Sequence, residues 1–110
     1  MKLPYNKNVI IPKEKLTKYV LSETHAVGKF KAKFFLKFGF DETNISVFKD
    51  ALKTIAESEE VKEELSSTYG TKYLIDSKMK TPSGKTIKVR TVWIIEGDNK
   101  RTRFVTVYPV

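Results

Sequence analysis

The only histidine in this chain stands at the start of a segment rich in lysine and phenylalanine, residues 24–39. His25 is the one side chain that titrates near neutral pH without help from its surroundings, so it is a candidate general acid or base. The cations that follow, Lys29, Lys31 and Lys33, suit a phosphate group, together with the exposed N–H groups of a helix that begins there. The pattern therefore predicts a site for a phosphate-bearing substrate. The alternative is a histidine that only packs or caps at the entry of an amphipathic helix.

A second group of candidates lies near the C-terminus, where all the arginines occur: Arg90, Arg101 and Arg103. The planar fork of arginine matches a phosphate through two hydrogen bonds. If these residues lie on neighbouring strands, we expect Arg90 to converge with one of the other two. Thr106 and Tyr108 fall on one face of the last predicted strand, where their hydroxyls could orient a substrate. The alternative for all five is ordinary exposed strand positions.

Several kinds of site are excluded by what the sequence lacks. The chain has no cysteine, which excludes disulfides and thiolate metal ligands, and one histidine matches a structural zinc site poorly. The acidic residues of the basic segments are scattered, with no pair suited to glycoside hydrolysis. No serine-nucleophile motif occurs, and Gly28-Lys29 lacks the other residues of a P-loop. We therefore expect neither a metal site nor a cofactor.

Length and hydropathy bound the class of protein. The 110 residues predict a single domain, residues 1–110. No apolar run approaches the roughly 20 residues needed to span a membrane, and residues 1–5 lack the apolar stretch of a signal peptide. We therefore expect a cytoplasmic protein with no membrane partner. The sequence gives no indication of its oligomeric state.

The net charge of +8 is unevenly distributed. Residues 1–40 carry nine Lys and two Glu, residues 41–69 carry three Lys and eight acidic residues, and residues 70–110 carry nine Lys or Arg and three acidic residues. Two basic regions therefore flank an acidic one. A basic surface suits an anionic partner, such as RNA or another polyanion. The alternative is lysine used only as a solubilising residue.

The first part of the chain has the periodicity of helices. After an extended lead-in over residues 1–11, apolar residues at helical spacing predict a helical part over residues 12–67. The predicted helices run from Pro12 to about Ser22, from about Val27 to Phe38 with a stop at Gly39, and from Thr43 or Asn44 onward. The run of charges over residues 57–64 is expected to be a solvated face or a frayed helix end.

Residues 70–109 have the alternation of an antiparallel sheet. Strands are predicted over residues 70–80, 85–96 and 101–108, with turns between them. The second strand has one apolar face, and its other face begins with Lys88 and Arg90 and ends with Val92 and Ile94, so we expect that face to be partly open. The predicted class is α+β, with about three N-terminal helices packed on a C-terminal antiparallel meander of three to four strands.

Beyond these patterns, the chain resembles a family of short bacterial domains of unknown function, which occur alone and as C-terminal modules of polymorphic or contact-dependent toxins. The resemblance runs from about Ile11 to Pro109. It is carried by Lys15-Leu16, Tyr19-Val20-Leu21, His25, Gly28, Lys31-Ala32, Phe35, Gly39-Phe40, Asn44, Gly70, Lys72-Tyr73, Pro82, Gly84, Val89, Thr91-Val92-Trp93, Val105-Thr106 and Tyr108-Pro109. As a set these residues are fairly specific.

Helices followed by an antiparallel sheet also resemble the superfamily of barnase, EndoU, colicin D and RelE-like ribonucleases. This resemblance implies metal-independent RNA cleavage, with a 2′-hydroxyl attacking the adjacent phosphate. It implies His25 as acid or base, Lys31, Arg90 and Arg103 as phosphate contacts, and Thr106 and Tyr108 as substrate contacts. An acidic inhibitor protein is the implied protein partner.

Two other functions fit the same residues. One is a non-catalytic basic module that binds nucleic acid or an acidic protein partner. The other is an immunity-like or scaffold protein with no polyanion ligand. Cleavage of RNA that depends on His25 favours the enzyme, whereas strongly salt-dependent binding without cleavage favours the module.

Overall fold

The computed structural model describes residues 1–21, 29–97 and 100–110, without the side chains of residues 19 and 29–31. Helical segments come first and a four-stranded antiparallel sheet follows, which confirms the predicted α+β class. The elements are a 3-10 turn Asn6–Asn8, a π-helix Lys15–Val20, α1 Lys29–Lys37, a 3-10 turn Glu42–Asn44, α2 Ile45–Ser58, β1 Glu63–Ser67, β2 Gly70–Lys80, β3 Thr86–Ile95 and β4 Arg103–Pro109.

The strands pair in sequence order, β1-β2-β3-β4, as a meander. Alternation along β3 places Val89, Thr91 and Trp93 on the face that the helices cover, and all three are fully buried. The Trp93 indole Nε1–H donates to the Thr91 hydroxyl at 2.8 Å, and that hydroxyl lies 3.2 Å from the Ile75 carbonyl oxygen, to which it donates. The polar atoms in the sheet's apolar face are therefore satisfied within the sheet.

The helices place their apolar stripes against this face. Phe35 of α1 and Phe48 of α2 are fully buried with ring centroids 5.3 Å apart. Helix α1 ends before Gly39, as predicted, where φ is +100° and a Cβ would lie 3.1 Å from the Pro82 side chain. Lys33 and Lys37 are exposed on the opposite side of the helix, so they belong to its solvated face.

Helix α2 begins after Asn44, as predicted, but the side chain that caps the preceding turn belongs to Asp41. The Asp41 carboxylate accepts a hydrogen bond from the Thr43 N–H at 2.7 Å. Its pKa is lowered mainly by the Thr43 hydroxyl and next by that N–H. The Asn44 side chain accepts from the Asp41 N–H at 2.9 Å and donates to the Gly39 carbonyl at 2.7 Å. Asn44 therefore fastens the entry to α2 to the end of α1.

Helix α2 ends at Ser58 and the last residues of the acidic run, Glu63 and Glu64, begin β1, which corrects the predicted helix extension over residues 57–64 beyond Ser58. The chain is extended at Glu59, and β1 pairs with β2 from Glu63 to Ser67. Every residue of β1 is exposed, so no apolar alternation marks this strand in the sequence. β1 is defined instead by its hydrogen bonds to the edge of β2. The helical part predicted over residues 12–67 therefore ends in a strand.

The lead-in is tied to the other edge of the sheet. Ile10 bridges Arg103 in parallel, with hydrogen bonds from the Ile10 N–H to the Thr102 carbonyl at 2.9 Å and from the Phe104 N–H to the Ile10 carbonyl at 2.8 Å. Ile10 of the lead-in is thereby held beside the start of β4. The predicted first helix is a π-helix that ends at Val20, and its expected end at Ser22 lies outside the described residues.

No helix in the described part of the chain has both the length and the apolar character needed to cross a lipid bilayer.

Candidate functional site

The side of the sheet that faces away from the helices carries most of the candidate residues. We call this side the outer face. Cross-strand pairing places the following residues on it: Lys72, Leu74, Asp76 and Lys78 of β2; Lys88, Arg90, Val92 and Ile94 of β3; and Arg103, Thr106 and Tyr108 of β4. The half-polar face predicted from the alternation of β3 is thus present in the structure.

An ion-paired network organises the centre of the outer face. Arg90 and Asp76 are direct cross-strand partners, and the guanidinium donates from Nε to Oδ1 at 2.6 Å and from Nη2 to Oδ2 at 3.0 Å. The Lys62 ammonium donates to the same Oδ2 at 2.9 Å. Two-point pairing fixes the plane of the guanidinium, because both hydrogen bonds hold only in one orientation.

The charges of this network reinforce each other. The pKa of the Asp76 carboxyl is lowered to about 2, mainly by hydrogen bonds from Arg90 and also by Lys62, against the opposing effect of burial. The pKa of Arg90 is raised, mainly by the hydrogen bonds to Asp76 and next by a hydrogen bond with the Tyr108 side chain. The side chain of Arg90 is only 27% exposed, so its guanidinium is held in one place by its neighbours.

Arg90 does not converge with an arginine of β4, which corrects that expectation. Its partner on β4 is Tyr108, whereas Arg103 lies opposite Ile94. Arg90 and Ile94 are four positions apart on β3, which is about 13 Å along the strand. Arg103 forms its own ion pair with Glu96. The register of β3 and β4, with a shift between Val92 and Trp93, sets this separation.

Of the other predicted site residues, the structure locates the side chains of two on the outer face and leaves two outside its description. Thr106 and Tyr108 are both half-buried on the outer face, beside Val92 and Arg90 respectively. His25 lies outside the described residues. The backbone of Lys31 belongs to α1, but its side chain is outside the description. The structure therefore brings together Arg90 and Tyr108, with Thr106 one side-chain position along β4.

An apolar strip crosses the middle of the outer face. Val92 and Ile94 are 9% and 8% exposed and do not belong to the helix-covered core, and half-buried Leu74 is the β2 partner of Val92. Charged residues surround this strip. Among them, Lys78 and Lys88 stand directly opposite each other and are both exposed. Like charges in this position destabilise a sheet, so a bound anion would relieve the repulsion.

A second basic region lies near the start of β4, and of its residues the sequence indicated only Arg101 as a candidate phosphate contact. Two cavities of about 300 and 400 Å³ adjoin there and share Lys7, Asn8 and Arg101. We call this region the corner and define it by Tyr5, Lys7, Asn8, Lys53, Lys100 and Arg101. These residues come from three distant parts of the chain, so no spacing in the sequence could have grouped them.

Across the described residues, no three His, Asp or Glu side chains are grouped in a way that could hold a metal ion.

Comparisons with known proteins assign the chain to a family and identify its fold. A family described as "Domain of unknown function (DUF6883)" matches residues 2–110. No curated protein has a matching sequence. A chain of a "Contact-dependent growth inhibition toxin - immunity protein complex from Klebsiella pneumoniae 342" is similar in structure, with a TM-score of 0.73. The two chains are 18% identical, and the similarity covers 92% of this chain and 99% of the other, which shows a shared fold.

Proposed function

The chain belongs to this family of domains of unknown function, and from its fold and its outer face we propose that it is a toxin-related domain that cleaves RNA without a metal ion. The observation that carries the proposal is Arg90, an arginine held by two hydrogen bonds to Asp76 on a basic sheet face and adjacent to Tyr108. A guanidinium held in this way loses little freedom when a phosphate binds, so it is organised in advance for a charged transition state.

In the proposed reaction, His25 takes the proton from a ribose 2′-hydroxyl, and the oxygen attacks the adjacent phosphorus. The bond from phosphorus to the 5′-oxygen breaks, and a proton is returned to that oxygen. The products are a 2′,3′-cyclic phosphate end and a 5′-hydroxyl end. Arg90 binds the phosphoryl oxygens as negative charge develops on them, and Lys31 and Arg103 bind the phosphate groups of the chain.

The neighbours of Arg90 define how the substrate is held. Nε and Nη2 donate to Asp76, so a phosphate would approach the guanidinium from the side away from this carboxylate. Thr106 follows on the same face and orients the adjacent ribose. The proposal requires His25 to lie within hydrogen-bond reach of a ribose bound there.

An inhibitor protein is part of the proposal, because the similar structure comes from a toxin–immunity protein complex. The outer face has the composition of a protein interface, with an apolar strip of Leu74, Val92 and Ile94 inside a charged rim. The rim is mainly basic, so the proposed inhibitor presents acidic side chains to it and thereby blocks Arg90.

The experiment that tests the proposal compares RNA cleavage by wild type, His25→Ala and Lys85→Gln in buffer that contains a chelator. Lys85 is exposed in the turn between β2 and β3, outside the Arg90, Asp76 and Tyr108 group. We expect cleavage by wild type and Lys85→Gln, and no cleavage by His25→Ala, which should still bind RNA. Equal cleavage by wild type and His25→Ala would remove His25 from the mechanism.

A second candidate function is a non-catalytic module that binds nucleic acid or an acidic partner. The observation that favours it is that both candidate arginines are already paired, Arg90 with Asp76 and Arg103 with Glu96. A paired arginine offers a phosphate less net charge than a free one. RNA binding with a strong salt dependence and no cleavage by any variant would support this function instead.

A further inference from the structure

The corner consists of two adjoining cavities at the edge of the sheet, lined by residues from three parts of the chain. The 3-10 turn Asn6–Asn8 lines both of its cavities and packs against α2, which contributes Lys53. Arg101 lies two residues before the start of β4 and lines both cavities as well. Their volumes, about 300 and 400 Å³, lie at the lower end of the range for small-ligand sites.

Hydrogen bonds hold the two sides of the corner together. The buried Thr102 hydroxyl donates to the Pro4 carbonyl, and the Thr102 carbonyl accepts from the Ile10 N–H at 2.9 Å. The Asn8 N–H donates to the Tyr5 carbonyl at 3.3 Å and closes the turn between them. The backbone that follows Arg101 and the turn that carries Lys7 are therefore fixed before any ligand arrives.

The cations of the corner differ from the arginines of the outer face, each of which forms an ion pair with a carboxylate. Lys7, Lys53, Lys100 and Arg101 line the cavities with one carboxylate, that of Glu57. Within the ranges that the structure describes, none of these four cations takes part in an ion pair. Within the described residues, the two cavities therefore carry more positive than negative charge, and a bound anion would relieve the repulsion among these cations.

Tyr5 adds an aromatic group to this basic cavity. Its side chain is 50% exposed and lines the larger of the two cavities. Its backbone has φ 53° and ψ 35°, the left-handed region, and among the described non-glycine residues only Tyr5 has a positive φ. A glycine would adopt this conformation more easily, so the turn itself does not account for the tyrosine. An exposed ring beside cations is the arrangement on which single-stranded bases stack.

We propose that the corner is a nucleotide-binding subsite for single-stranded RNA, in which Lys7, Lys53 and Arg101 bind phosphate groups and Tyr5 stacks on a base. This inference rests on the proposed function: the subsite would hold part of the RNA strand whose cleavage takes place at the outer face. An acidic peptide would use the same cations but would gain little from an exposed ring, so the tyrosine favours RNA.

The test measures binding of a fluorescent 2′-O-methyl oligouridine ten nucleotides long, which lacks the attacking hydroxyl and cannot be cleaved. Binding is measured by fluorescence anisotropy over a series of salt concentrations. We expect Lys7→Gln/Lys53→Gln to bind about tenfold more weakly at low salt, and the slope of log K against log salt to fall by about 1.4 for two lost phosphate contacts. The matched control, Lys18→Gln/Lys85→Gln, removes the same charge from exposed positions elsewhere and should keep the wild-type slope.

Tyr5 is tested separately from charge. Tyr5→Gly suits the left-handed backbone, so its melting temperature should stay close to that of wild type, yet binding should weaken at least fivefold with the lost stacking. Tyr5→Phe keeps the ring and should bind as wild type does.

Two outcomes would overturn the proposal. One is equal weakening by the two double variants, which would make the effect one of net charge alone. The other is unchanged RNA binding in Tyr5→Gly combined with weaker binding of labelled decaglutamate to Lys7→Gln/Lys53→Gln, which would make the corner a site for acidic protein. Because the probe cannot be cleaved, neither outcome depends on whether the domain is a ribonuclease.

Discussion

The outer face and the corner are both basic, but they use their cations differently. On the outer face, Arg90 is paired with Asp76, its direct cross-strand partner, and Arg103 is paired with Glu96. At the corner, Lys7, Lys53 and Arg101 take part in no ion pair within the described residues. The first arrangement fixes the direction of a charged group, and the second leaves charge available to a ligand.

This difference shows that residue type alone does not identify a binding site. Arginine suggests a phosphate contact from its chemistry, but its partners decide whether it serves as a fixed donor or as a source of net charge. The pairing of Arg90 with Asp76 follows from the register between β2 and β3, which the turn over residues 81–85 sets. We therefore expect changes on the outer face to affect catalysis and stability, and changes at the corner to affect affinity and its salt dependence.

The largest expected effect is that of Arg90→Gln on RNA cleavage. Removing one preorganised donor from a charged transition state costs a factor of about 100 or more in rate. RNA affinity should fall by less than about threefold, because Asp76 already balances much of the charge of Arg90. Single-turnover cleavage and anisotropy binding measure the two quantities. A proportional loss of both would show that Arg90 acts as a simple binding cation, which would abolish the contrast between the two regions.

Asp76→Asn turns the paired arginine into an unpaired one. The variant leaves a partly buried guanidinium without its carboxylate, so we expect the free energy of unfolding to drop by about 1–2 kcal/mol. RNA affinity should rise, because a negative charge is removed from the outer face, while cleavage should fall because Arg90 loses its fixed orientation. Urea denaturation provides the stability measurement, with Asp50→Asn, at an exposed position on α2, as the control. Unchanged stability and unchanged cleavage together would show that Asp76 does not position Arg90.

The same pair predicts a dependence of stability on pH. The folded-state pKa of Asp76 is about 2, below the ordinary value of 3.8. The stabilisation is therefore complete above the ordinary pKa and is lost as the pH falls from about 4 toward 2. Because the pair is open to solvent on one side, we expect it to contribute only about 1 kcal/mol. The difference in unfolding free energy between wild type and Asp76→Asn should shrink over this pH range, and a constant difference would contradict the assignment.

The smallest effect is expected for Lys62→Gln. Lys62 also pairs with Asp76, but its side chain is 58% exposed. An exposed pair of this kind contributes less than about 0.5 kcal/mol and is screened by salt. The variant should therefore cleave RNA at the wild-type rate and lose almost no stability. A loss as large as that of Asp76→Asn would mean that Lys62, and not Arg90, is the main partner of the carboxylate.

Much of the fold could be predicted from the sequence, because two strong local patterns specify it. The alternation of apolar and polar residues predicted β2 with its observed bounds and the half-polar outer side of β3. Gly39 predicted the end of α1. β1 was missed because none of its residues is buried, so hydrogen bonds to β2 define it without any apolar pattern. The identity of the side chain that caps the turn before α2 was missed too, since several capping residues follow one another there.

Less of the candidate site could be predicted. Arg90, Thr106 and Tyr108 do share one face, but their relation to Arg103 depends on a register that includes a shift between Val92 and Trp93, and no sequence pattern reveals such a shift. The corner could not be found at all from the sequence, because its residues meet only when the lead-in is tied to the start of β4. His25 stays a prediction that rests on its chemistry and on the resemblance to toxin-associated domains.

The most direct test of the account is an analysis of the ends that purified wild-type protein generates when it is incubated with single-stranded RNA and a chelator. The account predicts fragments with a 2′,3′-cyclic phosphate at one end and a 5′-hydroxyl at the other, and no fragments with the 2′-O-methyl form of the same RNA. RNA that is bound but remains intact at every protein concentration would contradict it, and so would fragments that end in a 5′-phosphate.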